Sequence, residues 1–147
     1  MMKPLCFSRL ALFLPTVVFL AISLPALARD DGSPARQWYR GNTHTHTKNS
    51  DGDSYADEAA RWYREHGYNF LVITDHNYLT GVDVLNQLYG AEGRYLVIRG
   101  DEVSDRCGDK PVHLNALNPE YNVLPRGGAT VAETIQNDID AIREASA

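Results

Sequence analysis

Residues 41–53, Gly41-Asn42-Thr43-His44-Thr45-His46-Thr47-Lys48-Asn49-Ser50-Asp51-Gly52-Asp53, carry two histidines one residue apart and an aspartate five residues further on. Alternate residues of an extended chain point to the same side, so His44 and His46 can face one ion together. Neutral imidazole suits zinc, manganese and iron, and a carboxylate can bridge two such ions. The chain has five histidines; the other three are His66, His76 and His113. Each candidate has an ordinary reading by itself. His-x-His arises by chance in strands, Asp51-Gly52 is a turn, Glu102 could serve an ion pair and His113 could be a satisfied strand histidine. A calcium-loop reading of residues 50–53 fails because no glutamate stands at the twelfth position. Taken together, His44, His46, Asp51, His76, Glu102 and His113 are expected to converge on one multi-metal hydrolytic site. Divalent ions clustered about 3.5–4 Å apart bind a substrate oxygen, activate water and stabilise the leaving oxygen. His66 falls in the last turn of a helix, where the helix dipole favours an imidazole, and is read as structural.

Those ligands need elements to place them. Residues 38–44 read as a first strand running into the histidine pair. Asp53 or Ser54 can cap a helix with Asp57 and Glu58 in its first turn, a face of Ala59, Trp62, Tyr63 and His66, and Gly67 as its stop. Residues 70–74 are a continuous apolar run, the pattern of a strand buried on both faces. A helix over 82–89 leads to a third strand at 95–98, which ends at Gly100-Asp101-Glu102. Residues 104–111 read as loop and 112–117 as a fourth strand. Residues 119–128 are a second loop, after which Thr130 caps a helix with Val131, Ile135, Ile139 and Ile142 along one face. The order β-α-β-α-β-β-α predicts an α/β fold with a parallel sheet. The histidine pair, His76 and Glu102 would then stand at successive strand ends, where barrels of this class carry their chemistry.

Residues 1–28 stand apart. Lys3 and Arg9 precede an apolar run over 10–22, and Ala26-Leu27-Ala28 has the small-x-small form of a cleavage site, the signature of a secretory signal peptide. The run is shorter than the roughly 20 residues of a spanning helix. A periplasmic or secreted location is expected, with 29–37 as a polar leader and 38–147 as the domain. Net charge is −5, and cleavage would remove two positive charges and no negative one. An acidic chain without a basic run is a poor non-specific binder of nucleic acid or membrane, so nucleic acid enters only as a possible substrate. Cys107 would be the sole cysteine of the mature chain, a free thiol without a role.

His44-x-His46, Ser50-Asp51-Gly52, Ile73-Thr74-Asp75-His76-Asn77, Gly100-x-Glu102 and His113, in that order, resemble the PHP (polymerase and histidinol phosphatase) superfamily. Trp38-Tyr39-Arg40-Gly41-Asn42 and Gly67-Tyr68-Asn69-Phe70 look like its secreted, carbaryl-hydrolase-related (CehA/McbA-like) members. The resemblance implies a distorted (β/α)7 TIM-like barrel with two or three divalent ions, zinc, manganese or iron. It implies that His44 and His46 hold the first ion, Glu102 bridges the first and second, His113 binds the second, and Asp51 and His76 bind the third. Asp75 would be the catalytic-site residue that orients its neighbours. The implied activity is hydrolysis of a phosphoester, with a carbamate or aryl ester as the alternative small-molecule substrate. The family's later motifs, a strand-5 histidine and an Asp-x-His, have no counterpart after His113. Residues 38–147 supply about four of seven strands, so the expectation is an incomplete barrel: a fragment, or a truncated and non-catalytic remnant.

Overall fold

The computed structural model describes residues 37–146. The expected signal peptide (1–28) and all but the last residue of the expected leader (29–37) lie outside the described residues. Seven elements follow in order: β1 (Gly41–Asn42), α1 (Ala56–Glu65), β2 (Phe70–Ile73), α2 (Asp83–Tyr89), β3 (Leu96–Cys107), β4 (Lys110–Leu117) and α3 (Val131–Glu144). The four strands form one mixed sheet in the order β1-β2-β3-β4, so the chain is α/β. Between β1, β2 and β3 the pairing is parallel, with Phe70 opposite Leu96 and Ile73 opposite Arg99. β4 runs antiparallel to β3.

That last pairing corrects the expected all-parallel sheet. β3 does not stop near Glu102 but continues to Cys107, and β4 begins at Lys110. The expected loop over 104–111 is therefore two strand ends and a two-residue turn, Gly108-Asp109. Gly108 has φ +63°, the left-handed backbone that a tight hairpin needs at its first central position. Two residues are too few for a crossover, so the pairing must be antiparallel. Polar side chains hid the strand: Ser104, Asp105, Arg106 and Lys110 carry no apolar alternation.

Other boundaries shift for local reasons. The expected first strand over 38–44 reduces to Gly41–Asn42, because Arg40 N–H and C=O are taken by the Asn69 side chain and the Asn69 N–H. α1 is capped at Tyr55, past Asp53 and Ser54, and the Glu58 carboxylate accepts the Tyr55 N–H at 3.0 Å. Gly67 ends α1 as expected, at φ +75°. Its buried face is Ala56, Ala60 and Tyr63, whereas Trp62 is half exposed and stacks on His66 with centroids 3.8 Å apart.

Two apolar layers result. Leu71 and Ile73 of β2, Val97 of β3, Ala60 of α1 and Leu85 of α2 pack into one core. Each aliphatic side chain buried there contributes about 1.5–3 kcal/mol. Val103, Ala116, Val123, Ala141 and Ala145 form the second, between α3 and the hairpin. The buried stripe of α3 is Thr134, Asp138 and Ala141, not the expected Val131, Ile135, Ile139 and Ile142; Ile135 is exposed, while Ile142 packs at the core's edge. The reason is polar. From α3, Asp138 accepts the Arg126 N–H and Asn137 donates to the Gly127 C=O, so the helix turns toward the loop a face that can bond its backbone; from β3, Asp101 and Asp105 accept the Val123 and Gly127 N–H. No helix among the described residues is long and apolar enough to cross a membrane.

Candidate metal centre

The segment carrying the histidine pair leaves β1 and runs on beside the end of β2. Thr45 C=O accepts the Thr74 N–H at 2.8 Å, and Thr45 N–H donates to Thr74 Oγ1 at 3.1 Å. The chain then folds back: Ser50 and Gly52 N–H both donate to Thr47 C=O. A Cβ on Gly52 would stand 2.5 Å from the His46 carbonyl carbon, so only glycine permits this close return. The return sets Asp51 Oδ1 2.6 Å from His46 Nδ1.

The far side of the site comes from β2, β3 and β4. Beyond Ile73 the β2 line resumes as a short bridge, with Asp75 C=O accepting the Glu102 N–H and Glu102 C=O accepting the Asn77 N–H, both at 3.1 Å. Asn77 sits at φ +49°, a conformation asparagine tolerates better than most residues. From there its side-chain amide accepts the Ser104 N–H and donates to the Ser104 C=O. Ser104 pairs with His113 across the hairpin, which brings His113 to the Glu102 side chain. The expectation that Glu102 ends a strand is thus corrected: it lies mid-strand, and the hairpin beyond it delivers His113.

All six expected ligands meet. Glu102 Oε2 lies 2.9 Å from His46 Nε2, 3.1 Å from His76 Nδ1 and 3.4 Å from His44 Nε2, while Oε1 lies 3.2 Å from His113 Nδ1. Asp51 Oδ2 is 3.5 Å from His76 Nε2. Among the described residues three groupings could each hold an ion: His44, His46 and Glu102; His46, Asp51 and His76; and His76, Glu102 and His113. His66 belongs to none of them; its Nδ1 pairs with the Trp62 carbonyl at 2.7 Å.

Glu102 supplies the test of fit. It is buried, and among the described residues its Oε2 has no hydrogen-bond partner despite the three nearby imidazoles. Proximity without hydrogen-bond angles means that no ring N–H is aimed at this oxygen. A buried carboxylate oxygen left so is costly, and a cation would satisfy it. Two ligands on one zinc ion at about 2.0–2.1 Å stand about 2.9–3.4 Å apart for angles between square and tetrahedral. The Glu102 Oε2 distances to His46 and His44 match that range. His44 and His46 Nε2, at 2.7 Å, are a few tenths of an ångström closer than a shared ion sets them. Nitrogen and carboxylate donors without thiolate fit zinc, manganese or iron.

Asp75 stands behind this cluster. Its buried carboxylate accepts hydrogen bonds from Thr47 N–H (2.6 Å), Thr47 Oγ1 (2.8 Å), Ser50 Oγ (2.7 Å) and Thr80 Oγ1 (2.6 Å). Burial pushes its pKa up, but the bonds from Ser50, Thr80 and Thr47 outweigh this and hold it below the ordinary aspartate range. With its lone pairs taken, Asp75 ties the loop after His46 to the residues flanking His76. Asp51 is also held below the ordinary range, chiefly by its hydrogen bond to His46. Asp101 moves the other way: burial raises its pKa, only partly offset by the Val123 and Tyr78 amides.

Thr47, Ser50, Thr80, Asn77 and Ser104 also shape the site, and residue types alone did not single them out. Ser104 was discoverable, since it stands two residues beyond Glu102 on the same face of a strand; reading 104–111 as loop concealed it. Among the described residues Cys107 has no disulfide partner. A cavity of about 790 Å³ lined by Phe70, Leu96 and Ile98 lies at the opposite ends of β2 and β3 and includes none of the ligands. Comparison with protein-family models gives no match, and comparison with curated proteins gives none either.

Proposed function

We propose that this chain is a secreted or periplasmic metal-dependent hydrolase of the PHP type, its four strands forming part of a TIM-like barrel, with a phosphoester as substrate. The observation that carries the reading is the buried Glu102 carboxylate, with four imidazoles about it and an oxygen that lacks a hydrogen-bond partner among the described residues. Bound divalent ions would supply Lewis acidity toward the substrate oxygen and an activated water at neutral pH.

The chain's own residues perform the rest. His44, His46 and Glu102 would hold one ion, Glu102 and His113 a second, and Asp51 and His76 a third. Glu102 would serve both of the first two, since its Oε2 lies beside His44 and His46 and its Oε1 beside His113. Asp75 keeps the Asp51 loop and His76 in register through Thr47, Ser50 and Thr80. The cluster is open to solvent on the side of His44 and Asp51, both exposed, which gives an anionic substrate its approach. Clustered cations favour a phosphoester because its transition state gathers negative charge on oxygens they can reach.

The test is hydrolysis by the manganese- or zinc-loaded chain of p-nitrophenyl phosphate against a naphthyl carbamate. Phosphoester turnover that chelator abolishes is expected. Turnover of the carbamate alone would move the assignment to the carbamate and aryl-ester class. Metal uptake without turnover of either substrate would favour a non-catalytic metal-binding chain.

A further inference from the structure

His76 falls in two of the groupings that could hold an ion. Its Nε2 faces Asp51 Oδ2 at 3.5 Å, and its Nδ1 faces Glu102 Oε2 at 3.1 Å, with the His113 ring centroid 5.3 Å from its own. A neutral imidazole has a lone pair on only one of its two nitrogens, the other carrying hydrogen. One of the two assignments must therefore give way.

Ser104 decides which. Its Oγ lies 2.5 Å from His76 Nδ1 and donates to the Glu102 carbonyl oxygen at 2.9 Å. A hydroxyl has one hydrogen and a carbonyl has none. With the hydroxyl hydrogen on Glu102 C=O, the short contact to His76 is made by the ring, whose Nδ1–H donates to Ser104 Oγ. The Nε2 lone pair is then directed at Asp51. His113 Nδ1 stands 3.3 Å from the same hydroxyl and 3.2 Å from Glu102 Oε1, leaving that nitrogen to the Glu102 side of the centre.

We propose that Ser104 is a positioning residue: it holds His76 in the Nδ1–H tautomer and assigns its Nε2 to the ion shared with Asp51, away from the Glu102–His113 pair. The proposal rests on the metal-centre reading above. The backbone of Ser104 is clamped by the Asn77 amide, so removing the hydroxyl leaves the strand in place. The loss of a group that orients a histidine ligand lowers metal affinity by about 10–100-fold.

The test labels the histidines of the full chain with ¹⁵N and records the ring nitrogens of metal-free protein at a pH where imidazole is neutral, followed by zinc titration. In the unmodified chain His76 should show a protonated Nδ1 and a bare Nε2. Ser104→Ala should shift His76 toward the Nε2–H form and weaken zinc binding about 10–100-fold, with an unchanged circular dichroism spectrum. Ser104→Thr, which retains a hydroxyl, should restore both. A His76 that stays fully Nδ1–H in Ser104→Ala, or zinc affinity that does not change, overturns the proposal. An unmodified chain that takes up no zinc overturns the metal-centre reading instead, and the tautomer comparison still decides what Ser104 does to His76.

Discussion

Histidines that look alike in the sequence differ sharply in what surrounds them. His44 contacts the buried Glu102 carboxylate at 3.4 Å, whereas His66 is stacked on Trp62 and bonded to a backbone carbonyl. His44→Ala should therefore abolish turnover and lower metal content, while His66→Ala should leave both nearly intact. Equal losses, read as metal per chain by atomic emission alongside the rate, would refute this sorting. Glu102→Gln keeps the shape but removes the charge that the imidazole cluster surrounds. It should bind metal at least 10-fold more weakly, in the range seen when a metal site loses part of its support. Asp138 offers a contrast away from the centre. Burial raises its pKa, and neighbouring Asp105 adds to the rise, against the opposing Arg126 amide and charge. The folded chain thus holds a proton at Asp138 that the unfolded chain releases above about pH 4. Stability at this residue is full below that value and falls as pH rises through the raised pKa. Asp138→Asn, which can still accept the Arg126 N–H, should flatten that decline. Urea midpoints measured at about pH 4 and pH 7 should converge in the variant, and an equal slope in both proteins would contradict the assignment.

Among the elements, β3 carries the most. Its first part is parallel to β2, its second part pairs with β4, and Glu102 lies in the second. Along the first part, on the edge of β3 that β4 does not reach, the Asn86 side chain of α2 substitutes for a strand by accepting the Val97 N–H and donating to the Val97 C=O, each at 2.8 Å. Asn86→Ala should cost about 1–3 kcal/mol, since it leaves two buried backbone groups unsatisfied; chemical unfolding of both proteins would measure this. A loss below about 0.5 kcal/mol, the size of an ordinary surface substitution, would show that water replaces the amide. The loop from Thr47 to Asp53 is the complementary element. It has no regular structure, yet Gly52 and the Asp75 bonds fold it tightly over His46.

For the molecule as a whole, an ion held at this centre would link loading to folding. The six candidate ligands come from the β1–α1 segment, the end of β2, β3 and β4, so no local stretch assembles the site unfolded. A divalent ion that binds only the folded chain should stabilise it by about 2.7 kcal/mol at a concentration 100 times its dissociation constant. The thermal midpoint should rise with zinc or manganese, fall back with chelator, and stay put in Glu102→Gln. A rise of the same size in that variant would place the bound ion elsewhere.

Chain order and residue type determined more of the chemistry than of the architecture. His44, His46, Asp51, His76, Glu102 and His113 were legible as candidate ligands because few other residue types bind such ions, and the apolar run at 70–73 identified β2 because a buried strand has little freedom in composition. The tertiary structure decided the direction of β4, the polar stripe of α3, the parts played by Ser104 and Asn77, and the hydroxyls that hold Asp75. Each depends on partners distant in the chain. A polar strand is stable only once Ser104 meets His113. A buried aspartate such as Asp138 is tolerable only beside the Arg126 amide, and a serine can orient His76 only after two strands bring them together. Ligand identity is local chemistry, whereas hydrogen-bond satisfaction is a property of the folded whole.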